Sequence, residues 1–424
     1  MTTLASVVSC LSDYDPNALP VTQAQSIIRD FITPVSAIER VAIRSALDRV
    51  LAEDIISPIN VPAHDNSAMD GYAFASTALG TGEVTLRVIG TAYAGTAFEG
   101  VPAAGETVRI MTGAVMPVGC DTVIPQEFTQ AAGDTVRFAG DAVRPGDNRR
   151  LAGEDLALGQ AALSAGRVLR PADIGMLASL GVAEVPVRRR LRVAFFSTGD
   201  ELRSIGQPLD EGCVYDSNRY TLYGMLRRLN VDIIDMGVVP DSPEGLEQAF
   251  RMACENADAI ITSGGVSVGE ADYTKQMMAK LGDVTFWTIA MRPGRPMAFG
   301  RIESNGHSAF LFGLPGNPVA VMVTFYHFVR GALLHMMGAE AKPLPLLQAR
   351  SAEAIRKRPG RTEYQRGILA PGADGMLEVR TTGQQGSGVL RSMSEANCFI
   401  VLEHERGAVA AGDPVQVMVF DGLV

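Results

Sequence analysis

Four short stretches in the middle of the chain carry residue types suited to binding an anion. They are STGDEL (197–202), TSGGVSVGEADY (262–273), MRPGRP (291–296) and GLPGNP (313–318). In the second stretch, the paired glycines of Ser263–Gly265 let backbone N–H groups approach a phosphate, and the helix that follows adds the positive end of its dipole. Asp272, at the start of that helix, either caps the helix or binds a sugar or heterocycle.

The third stretch holds two arginines separated by Pro and Gly. Arg292 and Arg295 form a rigid cationic pair, and two guanidinium forks suit a tetrahedral oxyanion. The alternative is an exposed turn with solvated arginines. In the fourth stretch, Asn317 precedes a predicted helix, so free N–H groups there either face a ligand or belong to a tight strand–helix turn.

Acidic residues follow two of the predicted strands. Asp200 and Glu201 are adjacent carboxylates after the first strand, and Asp241 ends a neighbouring one. Hard oxygen ligands beside a phosphate suit Mg²⁺. The alternative is that these side chains cap helices and face solvent. Two further polar stretches, 65–72 and 109–114, indicate loops when taken alone.

Strand–helix alternation over residues 191–337 positions these stretches. LRVAFFS, VDIIDMGVV, ADAIITSGG and SAFLFGL predict strands, while SNRYTLYGMLRRL and DSPEGLEQAFRMACEN predict helices. We expect Ser217 or Asn218 to cap the first helix, and Asp241 or Ser242 to cap the second. The alternation predicts a doubly wound, largely parallel sheet, in which ligands bind at the carboxyl ends of the strands.

The flanking regions differ in pattern. Residues 20–57 have a helical pattern, first in VTQAQSIIRDFI and again in VSAIERVAIRSALDRVLAEDI. Residues 58–145 predict a small β unit, and 146–190 a mixed segment in which LRPADIGMLASLG is a helix. Residues 341–424 are β-rich again and fit a small barrel or sandwich.

The composition excludes several classes of protein. The formal net charge of −10 opposes binding to nucleic acid or an anionic membrane, so a site for an anion needs a local positive field. Five cysteines without a C-x-x-C pair predict reduced thiols in a cytoplasmic protein. The apolar run 318–336 contains His327, Arg330 and His335, and therefore predicts a buried helix rather than a membrane span.

Seven motifs together resemble one known family. SAMDGYA (67–73), RIMTGA (109–114), STGDEL (197–202), TSGGVSVGEADYT (262–274), RPGRP (292–296), GLPGNPV (313–319) and TTGQQGSG (381–388) occur in the order found in molybdopterin molybdenumtransferases. The resemblance covers residues 15 to 424. It implies insertion of molybdate into adenylylated molybdopterin, with Mg²⁺ and release of AMP.

The resemblance also implies an architecture and partners. The expected parts are an elongated linking and dimerisation domain (15–57 and 146–190), a small β domain (58–145), an α/β molybdopterin-binding domain (191–340) and a C-terminal β-barrel domain (341–424). The implied protein is a cytoplasmic homodimer. Its implied protein partners are the upstream adenylyltransferase and downstream molybdoenzymes, with no nucleic acid and no membrane.

The family's site residues carry over onto matching positions. The resemblance assigns the pterin nucleotide to Ser263, Gly264, Gly265, Asp272, Lys275, Pro315, Asn317 and Pro318. It assigns molybdate to Arg292, Arg295, Arg366 and Ser387. It assigns Mg²⁺ and catalysis to Glu201 and Asp241, with Asp70 and Thr112 completing the site from across the dimer. The family often has lysines at 292 and 295, and usually a serine at position 320, where this chain has Ala320.

Two other functions remain open at this level. One is the preceding step, adenylylation of molybdopterin, because the adenylyltransferase fold resembles the α/β domain and shares its SGG loop. The other is a carrier or scaffold that stores finished cofactor without catalysis.

Overall fold

The computed structural model describes residues 3–9, 14–266, 273–340 and 344–420. Residues 3 to 57 form α1 (Leu4–Val8), α2 (Val21–Phe31), β1 (Ile38–Ala42) and β2 (Ile55–Ile56). The helix predicted in VTQAQSIIRDFI is confirmed as α2. Its buried face includes Ile27, Ile28 and Phe31, which join the core of the central α/β region. Phe31 meets the ring of Phe299 edge-on, with centroids 5.6 Å apart.

The next segment is a small β unit. It comprises β3 (Asn66–Ser67), β4 (Gly71–Phe74), β5 (Glu83–Ala92), β6 (Glu106–Ile110), β7 (Thr122–Pro125), β8 (Gln130–Ala132), β9 (Thr135–Ala139) and β10 (Arg149–Arg150). Six of these strands form one sheet in the order β7-β4-β6-β5-β9-β8, and β3 pairs separately with β10. Buried apolar side chains cover both faces of the six-stranded sheet, as two clusters.

The chain then returns to the N-terminal segment through β11 (Ala161–Leu163), α3 (Pro171–Ser179) and β12 (Glu184–Arg188). α3 confirms the helix predicted in LRPADIGMLASLG. The helical interpretation of VSAIERVAIRSALDRVLAEDI is wrong, because this stretch contains no α-helix: it holds β1, which pairs antiparallel with β12, then a 3-10 turn at Ile43–Ser45 and the start of β2. Val185 and Val187 of β12 are fully buried. Pairing with a strand far away in the sequence therefore outweighs the local helical pattern, as tertiary context often does.

The central region alternates strands and helices. It contains β13 (Arg192–Thr198), β14 (Leu202–Arg203), β15 (Val214–Tyr215), α4 (Ser217–Arg228), β16 (Asp232–Val239), α5 (Pro243–Asn256), β17 (Ala259–Ser263), α6 (Tyr273–Leu281), β18 (Gly282–Thr288), β19 (Met291–Arg292), β20 (Pro296–Ser304), β21 (His307–Leu314), α7 (Pro318–Thr324) and α8 (Arg330–Met336).

The central sheet has the order β16-β13-β17-β21-β20-β18. The first four strands are parallel, and β20 and β18 are antiparallel at one edge. α4 and α7 pack in one buried cluster and α5 and α6 in another, so both faces are covered. The predicted doubly wound α/β fold is confirmed. The cap of α5 is Ser242, one of the two residues expected, whereas α4 is capped by Asp216 and not by Ser217 or Asn218.

The C-terminal region is a closed barrel, as predicted. Its elements are β22 (Leu347–Ser351), β23 (Thr362–Pro371), β24 (Leu377–Thr381), α9 (Leu390–Glu395), β25 (Cys398–Leu402) and β26 (Pro414–Val419). The pairing runs β23-β24-β22-β26-β25, and β25 pairs back onto β23 to close five strands. β19 of the central region pairs in parallel with β23, which fastens the barrel to the α/β sheet.

α7 and α8 belong to one helix of 19 residues, with a π-helical turn at Phe325–Val329 between them. The helix is long and apolar enough to cross a membrane, but 61% of its most apolar window is buried inside the protein. His327 lies in the π turn, stacked on Tyr364 with ring centroids 3.7 Å apart. Burial lowers the pKa of His327 to about 3, so the imidazole is neutral in the folded protein.

This buried histidine makes stability depend on pH. An unfolded histidine titrates near its reference pKa of about 6.5. Below this pH the unfolded chain therefore binds a proton at His327 that the folded chain does not bind. Stability from this source is complete above about pH 6.5 and declines as the pH falls toward 3, by up to about 1.4 kcal/mol per pH unit. His327→Phe is therefore expected to show a shallower loss of stability between pH 6.5 and 4.5.

Urea unfolding followed by fluorescence of Trp287, the one tryptophan of the sequence, measures this difference. His64→Phe serves as the control, because it makes the same substitution at an exposed position. The stability of this variant is expected to depend on pH as the wild type does. Parallel stability curves for His327→Phe and the wild type would contradict the expectation.

Candidate functional site

Four of the predicted site loops leave the same edge of the central sheet. The parallel register pairs Thr198 with Val239, Ser197 with Ser263, and Ser263 with Leu314 at the carboxyl ends of β13, β16, β17 and β21. The loops that follow these ends carry Glu201, Asp241, Ser263–Gly265 and Pro315–Pro318. This edge is where open α/β sheets bind ligands.

The Ser263–Gly265 loop, called here the SGG loop, is shaped by its glycines. Gly264 has φ +95° and Gly265 φ +67°, both in the left-handed region. A Cβ on Gly264 would overlap the carbonyl oxygen of Thr198, and one on Gly265 would overlap the side chain of Thr274. The loop therefore needs glycine at both positions. The N–H of Gly264 donates to the carbonyl oxygen of Leu314 at 3.1 Å, so this amide serves the fold.

The loop that follows β21, Pro315–Pro318, lies directly beside the SGG loop. A Cβ built on Gly316 would be 3.8 Å from the Cα of Gly264. Asn317 is exposed at the start of α7, and its carbonyl oxygen accepts from the N–H of Val321 at 2.9 Å. The side chain of Asn317 makes no capping hydrogen bond. This loop thus presents a polar amide next to the glycine backbone.

The two carboxylates predicted for a metal follow neighbouring strands. Glu201 is exposed and Asp241 is half-buried, on the loops after β13 and β16. Among the described residues, no group of three or more His, Cys, Asp or Glu side chains could hold a metal. Two carboxylates fit Mg²⁺, because this ion keeps several waters and usually takes its remaining oxygens from substrate phosphates.

A cavity of about 300 Å³ lies between the MRPGRP turn and the barrel. The residues lining it are Arg292, Pro293, Glu353, Ala354, Ile355, Arg356, Glu363, Tyr364, Gln365, Arg366, Thr381, Gly383 and Gln385. The β19–β23 pairing places Arg292 opposite Glu363 and so brings the turn against the barrel strand that carries Arg366. Two of the three arginines that the sequence assigned to one pocket therefore share it.

Arg366 is the most tightly held of these cations. Its side chain is 1% exposed. Its Nε donates to Ser392 Oγ at 3.0 Å and its Nη2 to the carbonyl oxygen of Gly386 at 3.0 Å, and neither partner is charged. Burial and the nearby charge of Arg292 lower the pKa of Arg366 to about 10. The guanidinium stays protonated at neutral pH, and a bound anion would compensate its charge.

Arg295 is placed differently from Arg292. Both arginines are exposed, but Arg295 is not among the residues lining the cavity, and its carbonyl oxygen accepts from the N–H of Ile289 at 2.7 Å. Arg356 lines the cavity instead, and the sequence reasoning missed it. The signal available was the basic run RKRPGR at 356–361, which immediately precedes β23.

Ser387 connects the cavity to the loops of the α/β sheet. Its carbonyl oxygen accepts from the N–H of Val319, in the first turn of α7, at 3.0 Å. The preceding residue of the same loop, Gly386, accepts from Arg366. One loop therefore contacts both the buried guanidinium and the helix that begins after Pro315–Pro318. Ala320 follows Val319 and is buried, 3% exposed, so no hydroxyl is present at that position.

The remaining predicted residues are Asp70, Thr112, Lys275 and Asp272. Asp70 and Thr112 meet in the small β unit, where Asp70 Oδ1 accepts from the N–H and the Oγ1 of Thr112, both at 2.7 Å. These hydrogen bonds lower the pKa of the exposed Asp70 carboxyl, which is therefore ionised at neutral pH. Lys275 is half-buried on α6, with Nζ 5.9 Å from the centroid of the Phe286 ring. Asp272 lies outside the described residues.

Comparisons with known proteins identify relatives along almost the whole chain. Family models match in three consecutive blocks: MoeA N-terminal region (domain I and II) at residues 19–181, probable molybdopterin binding domain at 194–335, and MoeA C-terminal region (domain IV) at 348–420. A molybdopterin molybdenumtransferase from Haemophilus influenzae is 43% identical, with 96% of this chain and all of that protein covered. One from Nostoc is 36% identical, over 90% of this chain and 88% of that protein.

A solved structure extends the similarity to the fold. The molybdopterin biosynthesis MoeA protein of Pyrococcus horikoshii superposes with a TM-score of 0.82 and 27% identity, covering 95% of this chain and all of that one. The similarity to relatives spans the small β unit, the α/β sheet and the barrel together. This chain belongs to the molybdopterin molybdenumtransferase family.

Proposed function

We propose that this protein inserts molybdate into adenylylated molybdopterin and releases AMP, the last step in forming molybdenum cofactor. The observation that carries the proposal is the cavity shared by Arg292 and the buried Arg366, linked through Gly386 and Ser387 to the nucleotide loops of the α/β sheet. A doubly charged tetrahedral oxyanion is the kind of ligand that such guanidiniums favour. The names of the relatives support the same reaction.

In this proposal, the two substrates occupy neighbouring parts of one site. The pterin nucleotide lies on residues Ser263, Gly264, Gly265, Asp272, Lys275, Pro315, Asn317 and Pro318. Molybdate enters beside Arg292, Arg366 and Ser387, with Arg356 as an added cation and Arg295 three residues along the chain from Arg292. Because the protein carries a net charge of −10, this local cluster must supply the attraction for the anion. The rate then depends mainly on positioning and on charge stabilisation.

Glu201 and Asp241 would hold Mg²⁺ together with the phosphates of the nucleotide. The bound ion would neutralise phosphate charge and favour cleavage of the phosphoanhydride. The two side chains follow adjacent parallel strands, which supports a shared role. Their task is to fix the diphosphate so that water can attack its phosphoanhydride bond, which leaves AMP and the pterin monophosphate.

We also propose that the working form is a cytoplasmic homodimer divided into the four domains expected from the sequence. Asp70 and Thr112 are exposed, and Asp70 is ionised, so they are available to a second copy of the chain. In that arrangement they complete the site from the partner's small β domain. The upstream adenylyltransferase would deliver the nucleotide, and downstream molybdoenzymes would receive the product.

The reaction is tested by adding molybdate to purified protein loaded with adenylylated molybdopterin and Mg²⁺. We expect stoichiometric AMP release that requires molybdate, followed by activation of an apo-molybdoenzyme by the product. A protein that binds the nucleotide but releases no AMP would be a carrier. A protein that instead makes the nucleotide from ATP and molybdopterin would be an adenylyltransferase.

Arg292→Ala is expected to raise the molybdate concentration for half-maximal AMP release by about 10- to 100-fold, because hydrogen bonds to charged groups contribute about 1.5–3 kcal/mol. Nucleotide affinity should change little. Arg295→Ala is the matched variant, three residues away, and a smaller increase is expected because Arg295 does not line the cavity. Titrations of molybdate at fixed nucleotide measure both. Wild-type molybdate dependence in Arg292→Ala would remove Arg292 from the site.

Glu201→Gln is expected to reduce the Mg²⁺-dependent rate of AMP release by about 100-fold, since a neutral amide is a weaker ligand for a hard cation. Nucleotide should still bind. The rate is measured over a Mg²⁺ titration, with Glu211→Gln as a control on an exposed carboxylate further along the chain. Normal turnover at ordinary Mg²⁺ concentrations would show that Glu201 is not part of the mechanism.

A further inference from the structure

Asn218 joins the two substrate loops, although the sequence indicated only a possible helix cap. It lies in the first turn of α4 and is 7% exposed. Its Nδ2 donates to Ser263 Oγ at 2.8 Å and to the carbonyl oxygen of Gly316 at 2.7 Å. A single amide group therefore donates to the loop after β17 and to the loop after β21.

The two acceptors, a side-chain hydroxyl and a backbone carbonyl, belong to loops that are already close. A Cβ built on Gly316 would lie 3.8 Å from the Cα of Gly264. The direct hydrogen bond of the Gly264 N–H goes to Leu314, which precedes the second loop. In addition to that hydrogen bond, Asn218 on α4 donates hydrogen bonds to Ser263 and Gly316. Its two hydrogen bonds thus limit how far the loop tips can separate.

The helix that carries Asn218 is itself anchored. Asp216 Oδ1 accepts from the N–H of Arg219 at 3.1 Å and so caps α4. Arg219 Nε donates to Asp235 Oδ1 on β16 at 2.8 Å, which ties the first turn to the central sheet. The backbone at Asn218 is therefore anchored to the central sheet independently of the two loops, and its side chain can hold the loops in place.

We propose that Asn218 is a positioning residue that sets the separation between the SGG loop and the Pro315–Pro318 loop, and thereby aligns the bound nucleotide with the molybdate pocket, to which α7 is joined by the hydrogen bond from the Val319 N–H to Ser387. This inference rests on the proposed function, in which both loops hold the nucleotide and molybdate enters the adjoining cavity. Misplacing reacting groups by about 1 Å can cost about 100-fold in rate while leaving each binding contact largely intact. The role of Asn218 is thus in turnover more than in affinity.

Two variants separate positioning from packing. Asn218→Ala removes both hydrogen bonds, and Asn218→Asp keeps the volume but cannot donate to the carbonyl oxygen of Gly316. Both are expected to lower the maximal rate of AMP release by about 10- to 100-fold. Half-saturating molybdate and nucleotide concentrations should stay within about threefold of wild type. Thr221→Ala, which removes a hydrogen bond within the same helix, is the control and should leave the rate unchanged.

A second readout does not depend on activity. Without the hydrogen bonds of Asn218, amide hydrogen exchange in residues 264–266, 316 and 317 should accelerate by about tenfold, and Thr221→Ala should not change it. Wild-type turnover or unchanged exchange in Asn218→Asp would overturn the inference. So would failure of both Asn218 variants to fold, because that outcome assigns the residue to stability. If wild-type protein releases no AMP while exchange accelerates, the proposed function fails and the loop restraint stands.

Discussion

The arrangement of the site depends on an interaction that is unfavourable by itself, the approach of Arg292 to the buried Arg366. Neither hydrogen-bond partner of the Arg366 guanidinium is charged, and the charge of Arg292 adds to the cost of burial. Such a pair persists only where the surrounding fold imposes it. Here the β19–β23 pairing imposes it, because it fastens the MRPGRP turn to the barrel strand that carries Arg366. The fold therefore keeps two guanidinium groups close together, as the proposed binding of an anion requires.

The parallel sheet provides the second half of the same arrangement. β13, β17 and β21 end at one edge, and the loops that follow them meet there because the register is fixed along each strand. The TTGQQGSG loop of the barrel bridges the two halves, with Gly386 on Arg366 and Ser387 on the first turn of α7. The α/β sheet and the barrel are therefore linked through two consecutive residues, Gly386 and Ser387.

Much of this could be predicted from the sequence where the signal is local. Short sequence patterns predict the α/β alternation, the glycine loops and the cap at Asp241 or Ser242. These patterns act locally and do not depend on distant residues. The misassigned segment is of the opposite kind. β1 has a helical pattern, and only its partner β12, far along the chain, makes it a strand. The cap of α4 was misplaced by one residue, to Ser217 instead of Asp216, within the usual uncertainty of element boundaries.

The candidate site shows the same division. Arg292 and Arg366 could be assigned to one anion pocket because their motifs match a family, but the motif could not distinguish Arg292 from Arg295. The direction of a side chain depends on the strand beside it. Of the two arginines, only Arg292 belongs to a strand that pairs with β23. Arg356 and Asn218 carry no motif of their own. Their positions follow only from the tertiary fold. The barrel places Arg356 at the cavity, and α4 places Asn218 beside the two loops.

Ala320 shows how far such a site can change without losing its character. Without the serine hydroxyl, the proposed site lacks one neutral hydrogen-bond donor, which would contribute about 1 kcal/mol to the binding of an anion. The arginine at 292 acts in the other direction, because its guanidinium offers a fork of donors where lysine has a point charge. Arg356 adds a further cation to the wall of the cavity. Guanidinium donors therefore offset the missing hydroxyl, and the proposed anion site depends more on guanidinium geometry as a result.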